Sequence, residues 1–256
     1  MKKYLFFNFK NKPNNPEQLR ELISVYNKYA KSNFKKVLLP PTLYLMETKQ
    51  NVSSQFALGA QDVFWMNKVT VTGEITPLML KSLGVQYVLI GHSERRNYLS
   101  ENNILINLKL KTCLANKLIP VLCVGEKLRS KNDKEIDFRT KKEIFDELNY
   151  AFREIQLNSS SNLIIAYEPQ WSIGKGEGNN RVRAEAVGKL IRFWMARRFS
   201  ESFAQSLIVL YGGSVNASNI KDYLNLQDIS GVLIGGGSAN KIELNQIFKQ
   251  LTNNKE

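Results

Sequence analysis

The chain has 256 residues, a hydrophobic content of 43% and a formal net charge of +13. No apolar stretch approaches the roughly 20 residues that a membrane-spanning helix needs. The two cysteines, Cys113 and Cys123, are too few for a disulfide framework or a metal-ligand cluster. We therefore predict a soluble, cytoplasmic protein with no membrane partner.

The excess positive charge is scattered along the chain rather than gathered in one block. Basic residues occur in pairs, such as Lys35-Lys36 and Arg197-Arg198, and no aromatic–basic nucleic-acid motif accompanies them. That pattern is not typical of nucleic-acid-binding proteins, so we predict no nucleic-acid partner. The charge also favours the approach of an anionic substrate. Nucleic-acid binding stays open as an alternative, to be tested by salt-dependent binding that survives a saturating substrate analogue.

Short apolar runs alternate with longer amphipathic stretches along the chain. Runs of four to six residues rich in Val, Ile, Leu and aromatic side chains are typical of buried parallel strands. In chain order, the predicted strands are Tyr4–Asn8, Val37–Pro40, Ala57–Gln61, Tyr87–Gly91, Ile119–Val124, Leu163–Tyr167, Leu207–Tyr211 and Gly231–Ile234.

The stretches between these runs have helical periodicity. Residues 17–26 carry apolar side chains at positions 19, 22, 23 and 26, and Pro16 suits the first turn of that helix. Lys141–Ile155 has the same spacing. Eight strand-then-helix units predict a (β/α)8 barrel that forms a single domain over residues 1–256. An open doubly wound sheet is the alternative, but no Gly-x-Gly-x-x-Gly motif follows the first strand.

The residues that follow the predicted strands suggest an active site, because barrel enzymes carry theirs at the carboxyl ends of the strands. Asn8 and Lys10 follow the first strand, His92 (the only histidine) the fourth, and Glu168 the sixth. An imidazole and a carboxylate that reach one substrate suit proton transfer. Two glycine turns, after the seventh and eighth strands, suit phosphate binding: Gly212-Gly213-Ser214 and Gly235-Gly236-Gly237-Ser238.

These segments resemble the triosephosphate isomerase family over the whole length of the chain. The matching motifs occur in the family's order: Asn8-Phe9-Lys10, Thr72-Gly73-Glu74, Ile90-Gly91-His92-Ser93-Glu94-Arg95-Arg96, Cys123-Val124-Gly125-Glu126, Tyr167-Glu168-Pro169, Trp171, Ile173-Gly174, Tyr211-Gly212-Gly213-Ser214-Val215 and Gly235-Gly236. The resemblance implies the interconversion of dihydroxyacetone phosphate and D-glyceraldehyde 3-phosphate through an enediol(ate), with no metal and no organic cofactor.

The resemblance also implies a role for each catalytic residue. Glu168 would be the base, and His92 would donate a hydrogen bond to the carbonyl oxygens as a neutral imidazole. The neutral histidine is the established picture for this family and does not follow from the sequence alone. Lys10 would place positive charge beside the developing oxyanion, and Asn8 would be a further donor.

Further residues are assigned to phosphate binding and support by the same resemblance. Backbone N–H groups for the phosphate would come from Gly174, Ser214, Gly235 and Gly236, and from a short helix after the last strand. A lid, Pro169–Gly176, would exclude water during the reaction. Glu94 and Glu126 would form buried ion pairs that support Lys10 or the loops, Glu94 as a second-tier residue and Glu126 as a structural one.

The sequence departs from the family pattern in the lid and beside the catalytic lysine. The unusual residues are Phe9, Gln170, Ser172, Lys175, Glu177 and Asn179. They leave open a catalytically weak barrel that serves as a scaffold protein, an alternative that a coupled activity assay would decide. By resemblance, the loop around Thr72 reaches into a second subunit beside its Asn8 and Lys10. We therefore predict a homodimer.

Overall fold

The computed structural model describes residues 2–67, 70–130, 136–158, 161–172 and 181–252. Eight parallel strands close into a barrel in chain order, and the first strand pairs with the last. The strands are Tyr4–Asn8 (β1), Lys35–Leu39 (β2), Phe56–Ala60 (β3), Tyr87–Ile90 (β4), Ile119–Val124 (β5), Ile164–Tyr167 (β6), Ile208–Tyr211 (β7) and Gly231–Ile234 (β8). The predicted (β/α)8 barrel is confirmed. That residues 1–256 form one domain stays a prediction.

Helices follow the strands and cover the outside of the barrel. The α-helices are Pro16–Lys28 (α1), Leu45–Asn51 (α2), Pro77–Ser82 (α3), Ser93–Tyr98 (α4), Asn103–Ala115 (α5), Phe138–Ala151 (α6), Arg181–Arg198 (α7), Glu201–Ser206 (α8), Ile220–Leu224 (α9) and Lys241–Thr252 (α10). Short 3-10 helices occupy Thr42–Tyr44, Gln170–Ser172 and Gly236–Ala239. The last of these is the predicted short helix after β8.

Two apolar clusters separate the inside of the barrel from the layer under the helices. Alternate residues of the strands, such as Phe6, Leu89 and Ala166, pack together inside the barrel. The residues between them face the helices in a larger cluster. Because strand side chains alternate between two faces, Asn8 lies on the inner face with Phe6, and Glu168 with Ala166. The barrel geometry therefore directs both polar side chains towards its mouth.

The boundaries of several elements differ from those predicted. Helix α6 begins at Phe138, because the Asp137 side chain caps its first turn by accepting a hydrogen bond from the Thr140 N–H. It ends at Ala151, so the prediction of a helix through Ile155 is wrong at that end. Glu154 has a φ of 58°, a left-handed conformation that a helix does not accommodate. The predicted strand ends differ from the observed ones by at most two residues.

Candidate active site

The catalytic candidates meet in one cavity of about 290 Å³ at the carboxyl ends of the strands. Its wall contains the predicted residues Asn8, Lys10, His92, Glu168, Ser214, Gly235 and Gly236. Gly174, Lys175, Glu177 and Asn179 lie outside the described residues, as does the second half of the predicted lid, residues 173–176. All the other predicted site residues except Glu94 line this cavity, and Glu94 lines the adjoining one.

His92 is placed at the cavity by a sharp turn after β4. Gly91 has a φ of 71°, which favours glycine, and it turns the chain from the strand into α4. His92 is the N-cap of that helix, and its Nδ1 accepts a hydrogen bond from the Glu94 N–H at 3.3 Å. Since Nδ1 accepts, the ring proton lies on Nε2, which faces Glu168 Oε1 at 3.1 Å.

Glu168 follows β6 and is 2% exposed. Its second oxygen, Oε2, accepts a hydrogen bond from the Ser93 N–H at the start of α4, over 3.1 Å. The backbone at Glu168 is closely packed, because a Cβ on Gly125 would lie 2.0 Å from the Glu168 carbonyl oxygen. Glycine at position 125 therefore allows β5 to approach Glu168.

The thiol of Cys123 lies beneath the carboxylate of Glu168. Burial raises the pKa of this thiol well above its ordinary value, and the nearby charge of Glu168 raises it further. Cys123 therefore remains a neutral thiol at physiological pH and supplies no second negative charge next to Glu168.

Lys10 also lines the cavity, in a loop that its surroundings hold in an unusual conformation. Its φ is 54°, its N–H donates to Asn8 Oδ1 at 3.0 Å, and its carbonyl accepts from Gln61 Nε2 at 2.8 Å. The ammonium group donates to Glu94 Oε1 at 2.5 Å. Strained backbone of this kind occurs at functional sites. The Glu94 carboxylate thus pairs with the Lys10 ammonium group, and its supporting role stays a prediction.

Glu126 belongs to the support of the site rather than to the cavity. It is fully buried, and its Oε1 accepts hydrogen bonds from Tyr167 Oη, Trp171 Nε1 and Arg183 Nε, each within 3.0 Å. Burial, together with the charge of Glu126, raises the pKa of Tyr167 well above its ordinary value, so Tyr167 remains a donor. These contacts fix the turn that follows Glu168.

The two glycine turns line the remaining wall. A Cβ on Gly213 would lie 2.3 Å from Tyr211 Oη, whereas a Cβ on Gly236 would meet no atom within 4 Å. Gly213 is thus a packing requirement, and Gly236 faces open space. Gly235 caps the short 3-10 helix that follows β8. Among the described residues, no group of three or more His, Cys, Asp or Glu side chains is arranged to hold a metal ion.

Known proteins resemble this chain in sequence over most of its length. The family model described as triosephosphate isomerase matches residues 3–251. The chain belongs to the triosephosphate isomerase family. A triosephosphate isomerase of Mycoplasma capricolum is 38% identical over 93% of this chain and 94% of its own length. One of Dictyoglomus turgidum is 40% identical over 79% of this chain and 80% of its own. The predicted family, isomerase class and triosephosphate isomerase activity are confirmed.

Three groups at this triosephosphate isomerase site were not predicted from the sequence. The Ser93 N–H holds Glu168, Gln61 holds the Lys10 carbonyl, and Glu243 lines the cavity. Gln61 ends a predicted strand, and this position at the mouth of the barrel would have indicated it. A backbone N–H has no sequence signal, and Glu243 resembles any acidic residue in the first turn of a helix.

Proposed function

We propose that the cavity binds a phosphorylated triose and interconverts its ketose and aldose forms by proton transfer through an enediol(ate). The observation that carries this proposal is the meeting of Glu168 and His92, at 3.1 Å, in a cavity whose far wall is built from two glycine turns. Base, hydrogen-bond donor and phosphate cradle are then within reach of one small substrate.

Glu168 and His92 divide the proton chemistry in this proposal. Glu168 takes the proton from the carbon next to the carbonyl group and returns it to the neighbouring carbon. His92 donates from Nε2 to the carbonyl oxygen where negative charge develops. The Glu94 N–H, which donates to Nδ1, supports the neutral ring with its proton on Nε2.

Lys10 and Asn8 stabilise the developing oxyanion from the other side. The ammonium group of Lys10 brings positive charge into a cavity that Glu168 makes negative, and Glu94 keeps that group in place. The Asn8 side chain is 3% exposed and supports the Lys10 loop through its Oδ1. Its amide nitrogen is our proposed further donor to the substrate.

The phosphate is bound by backbone N–H groups at the glycine turns. Glycine permits a close approach of the backbone to a dianion, and the open space at Gly236 supports a ligand there. The proposed donors are Ser214, Gly235 and Gly236, with Gly174 as a fourth donor outside the described residues.

The chain acts as a homodimer in this proposal. A second cavity, of about 430 Å³, adjoins the first and is lined by Lys10, His92, Tyr98 and Leu99. Exposed apolar side chains surround it, and the Thr72 loop itself exposes Val71. Tyr98 and Leu99 are exposed together in the wall of this cavity, and an exposed apolar patch beside a cleft is typical of an interaction site. A second copy that inserts its Thr72 loop beside Lys10 would cover them.

A coupled assay on the purified chain tests the proposal. With dihydroxyacetone phosphate as substrate and a chelator in excess, we expect turnover that depends on Glu168. An inactive wild-type protein that still folds and binds a triose phosphate would favour the scaffold alternative.

Within the described residues, no helix is long and apolar enough to cross a bilayer. We propose that the protein acts in the cytoplasm.

A further inference from the structure

Glu243 lies in the wall of the cavity that we assign to a phosphate dianion. It projects from the first turn of α10 and is half-buried. A negative side chain beside a dianion is electrostatically unfavourable. Neither the proton transfer nor the proposed phosphate donors account for a carboxylate at this place.

The contacts of Glu243 connect the two glycine turns. Its Oε1 accepts a hydrogen bond from the Ala217 N–H at 2.7 Å, in the loop that follows β7. Its Cγ packs against the loop that follows β8, where a Cβ on Gly237 would lie 2.9 Å away. A single side chain therefore touches both loops that supply the proposed phosphate donors.

The loop after β7 passes this contact on to Ser214. Asn219 Nδ2 donates to the Ser214 carbonyl at 2.9 Å, and Asn219 Oδ1 accepts from the Asn216 N–H at 2.9 Å. Residues 214–219 are thus held together by their own hydrogen bonds. A displacement of Ala217 would consequently move the N–H of Ser214 with it.

We propose that Glu243 is a positioning residue for the phosphate cradle. It sets the separation between the N–H of Ser214 and those of Gly235 and Gly236, so that all of them point at one phosphate. The negatively charged Oε1 accepts its hydrogen bond from the Ala217 N–H. Such charge-assisted hydrogen bonds are short and strong. This inference rests on the proposed function and adds that the reach of the side chain, rather than its charge, is what the site requires.

Three variants separate reach from charge. Glu243→Asp keeps the charge but is one methylene too short for the 2.7 Å contact. Glu243→Gln keeps the length and an acceptor oxygen without the charge. Glu243→Met keeps the packing against Gly237 and loses the acceptor. We expect Asp and Met to raise KM for the triose phosphate about tenfold, the usual effect of losing a charged hydrogen bond, and Gln to stay within about threefold.

Glyceraldehyde, a substrate that lacks the phosphate group, separates binding of the phosphate from proton transfer. It uses Glu168 and His92 but not the cradle, so its kcat/KM should stay within about twofold in all three variants. The affinity for inorganic phosphate, measured by calorimetry, should fall in the variants in which KM rises, Glu243→Asp and Glu243→Met, and should change little in Glu243→Gln. Glu201→Asp, in the first turn of α8 and away from the cavity, is the matched control and should change nothing.

Two other outcomes overturn the inference. Equal losses for both substrates would make Glu243 a general structural residue. Tighter phosphate binding by Glu243→Gln, with no change in Glu243→Asp, would mean that its charge matters instead. Wild-type protein that binds phosphate without isomerising trioses would contradict the proposed function, while the phosphate affinities of the variants would still test Glu243.

Discussion

His92 has two ring nitrogens with different neighbours. The Glu94 N–H donates to Nδ1, and Nε2 faces a carboxylate oxygen of Glu168. The Glu94 N–H selects a ring with no proton on Nδ1, and the Glu168 oxygen requires a proton on Nε2, so together the two contacts give the tautomer that donates to a carbonyl oxygen. A cationic ring would turn Nδ1 into a donor that points at another donor.

The tautomer of His92 can be measured directly, because no other histidine contributes a signal. In the folded protein at pH 7, we expect ¹⁵N NMR to show an unprotonated Nδ1 and a protonated Nε2. Acid-denatured protein is the control for the cationic ring. Two protonated nitrogens in the folded protein at neutral pH would contradict the assigned role.

We expect the loss of the Glu168 carboxylate to lower turnover more than the loss of any other single side chain. Glu168→Gln keeps the size of the side chain and removes the proton acceptor. We expect kcat to fall at least about 10²-fold, as measured in the coupled assay. The Glu154→Gln variant, on the exposed surface, is the control and should be fully active. Near-wild-type activity in Glu168→Gln would remove Glu168 from the mechanism.

Many of the individual site residues could be predicted from the sequence, because the reacting groups come directly after apolar runs. Asn8, His92 and Glu168 end or follow strands, and a barrel brings strand ends together. Their mutual distances were not predictable. The 3.1 Å contact of Glu168 with Ser93 depends on the backbone at the start of α4, which no residue type records.

Four charged side chains join the elements behind the catalytic loops. Lys109 on α5 contacts Asp62 after β3 and the buried Glu101, which also pairs with Arg95 on α4. Glu101 further accepts from the Gly91 N–H at 3.1 Å, next to His92. The cluster thus ties three elements to the turn that presents the histidine.

The pKa of Glu101 results from opposing effects. Burial alone would raise it, but the charge of Lys109 and hydrogen bonds from Lys109 and Arg95 together lower it. Ionised Glu101 therefore stabilises the fold. That contribution is complete above the unfolded pKa of about 4.3 and is lost as the pH falls through the lower folded value. Burial raises the pKa of Asp62, so its own ionisation acts in the opposite direction.

Glu101→Gln tests the cluster. We expect it to lower the free energy of unfolding by about 3 kcal/mol at pH 7, because Lys109 and Arg95 lose a buried partner. The difference from wild type, followed by urea unfolding, should shrink as the pH falls below about 4. A difference that is independent of pH would contradict the assigned charge. Glu154→Gln, which breaks an exposed pair, should change little.

The sequence predicted which helices and strands are present better than it predicted the residues at which they begin and end. Three strands, β1, β5 and β8, have the predicted bounds, and a glycine follows the apolar run in the last two. The start of α6 was missed because Phe138 lies before the periodic stretch and is 82% exposed. Its end was missed because Phe152 and Ile155 are buried without being helical, which continues the helical pattern past the helix.

At the scale of the whole molecule, the described surface leaves large apolar side chains exposed near the Lys10 loop. Tyr98 and Leu99, which line a cavity together with Lys10, are 82% and 61% exposed, and Val71 and the neighbouring Thr72 are also exposed. The sequence alone pointed only to Thr72, by resemblance, because the apolar surface is assembled from separate loops.

Thr72→Arg tests whether a second copy covers this surface. A charged side chain at the proposed contact should shift the protein from dimer to monomer in sedimentation at micromolar concentration. Activity should fall about tenfold or more as the Lys10 loop loses its support. Tyr150→Arg, on the exposed face of α6, is the control and should stay dimeric. A wild-type chain that is monomeric and fully active would refute the dimer.

The central claim is that this barrel moves a proton between adjacent carbons by way of Glu168. The most direct test converts dihydroxyacetone phosphate in D₂O and analyses the first product by mass spectrometry and NMR. A carboxylic acid formed at Glu168 exchanges with solvent, so we predict deuterium at the carbon next to the aldehyde, formed by wild type but scarcely by Glu168→Gln. Product without deuterium, formed at full rate by Glu168→Gln as well as by wild type, would indicate a direct hydride shift that does not use this carboxylate.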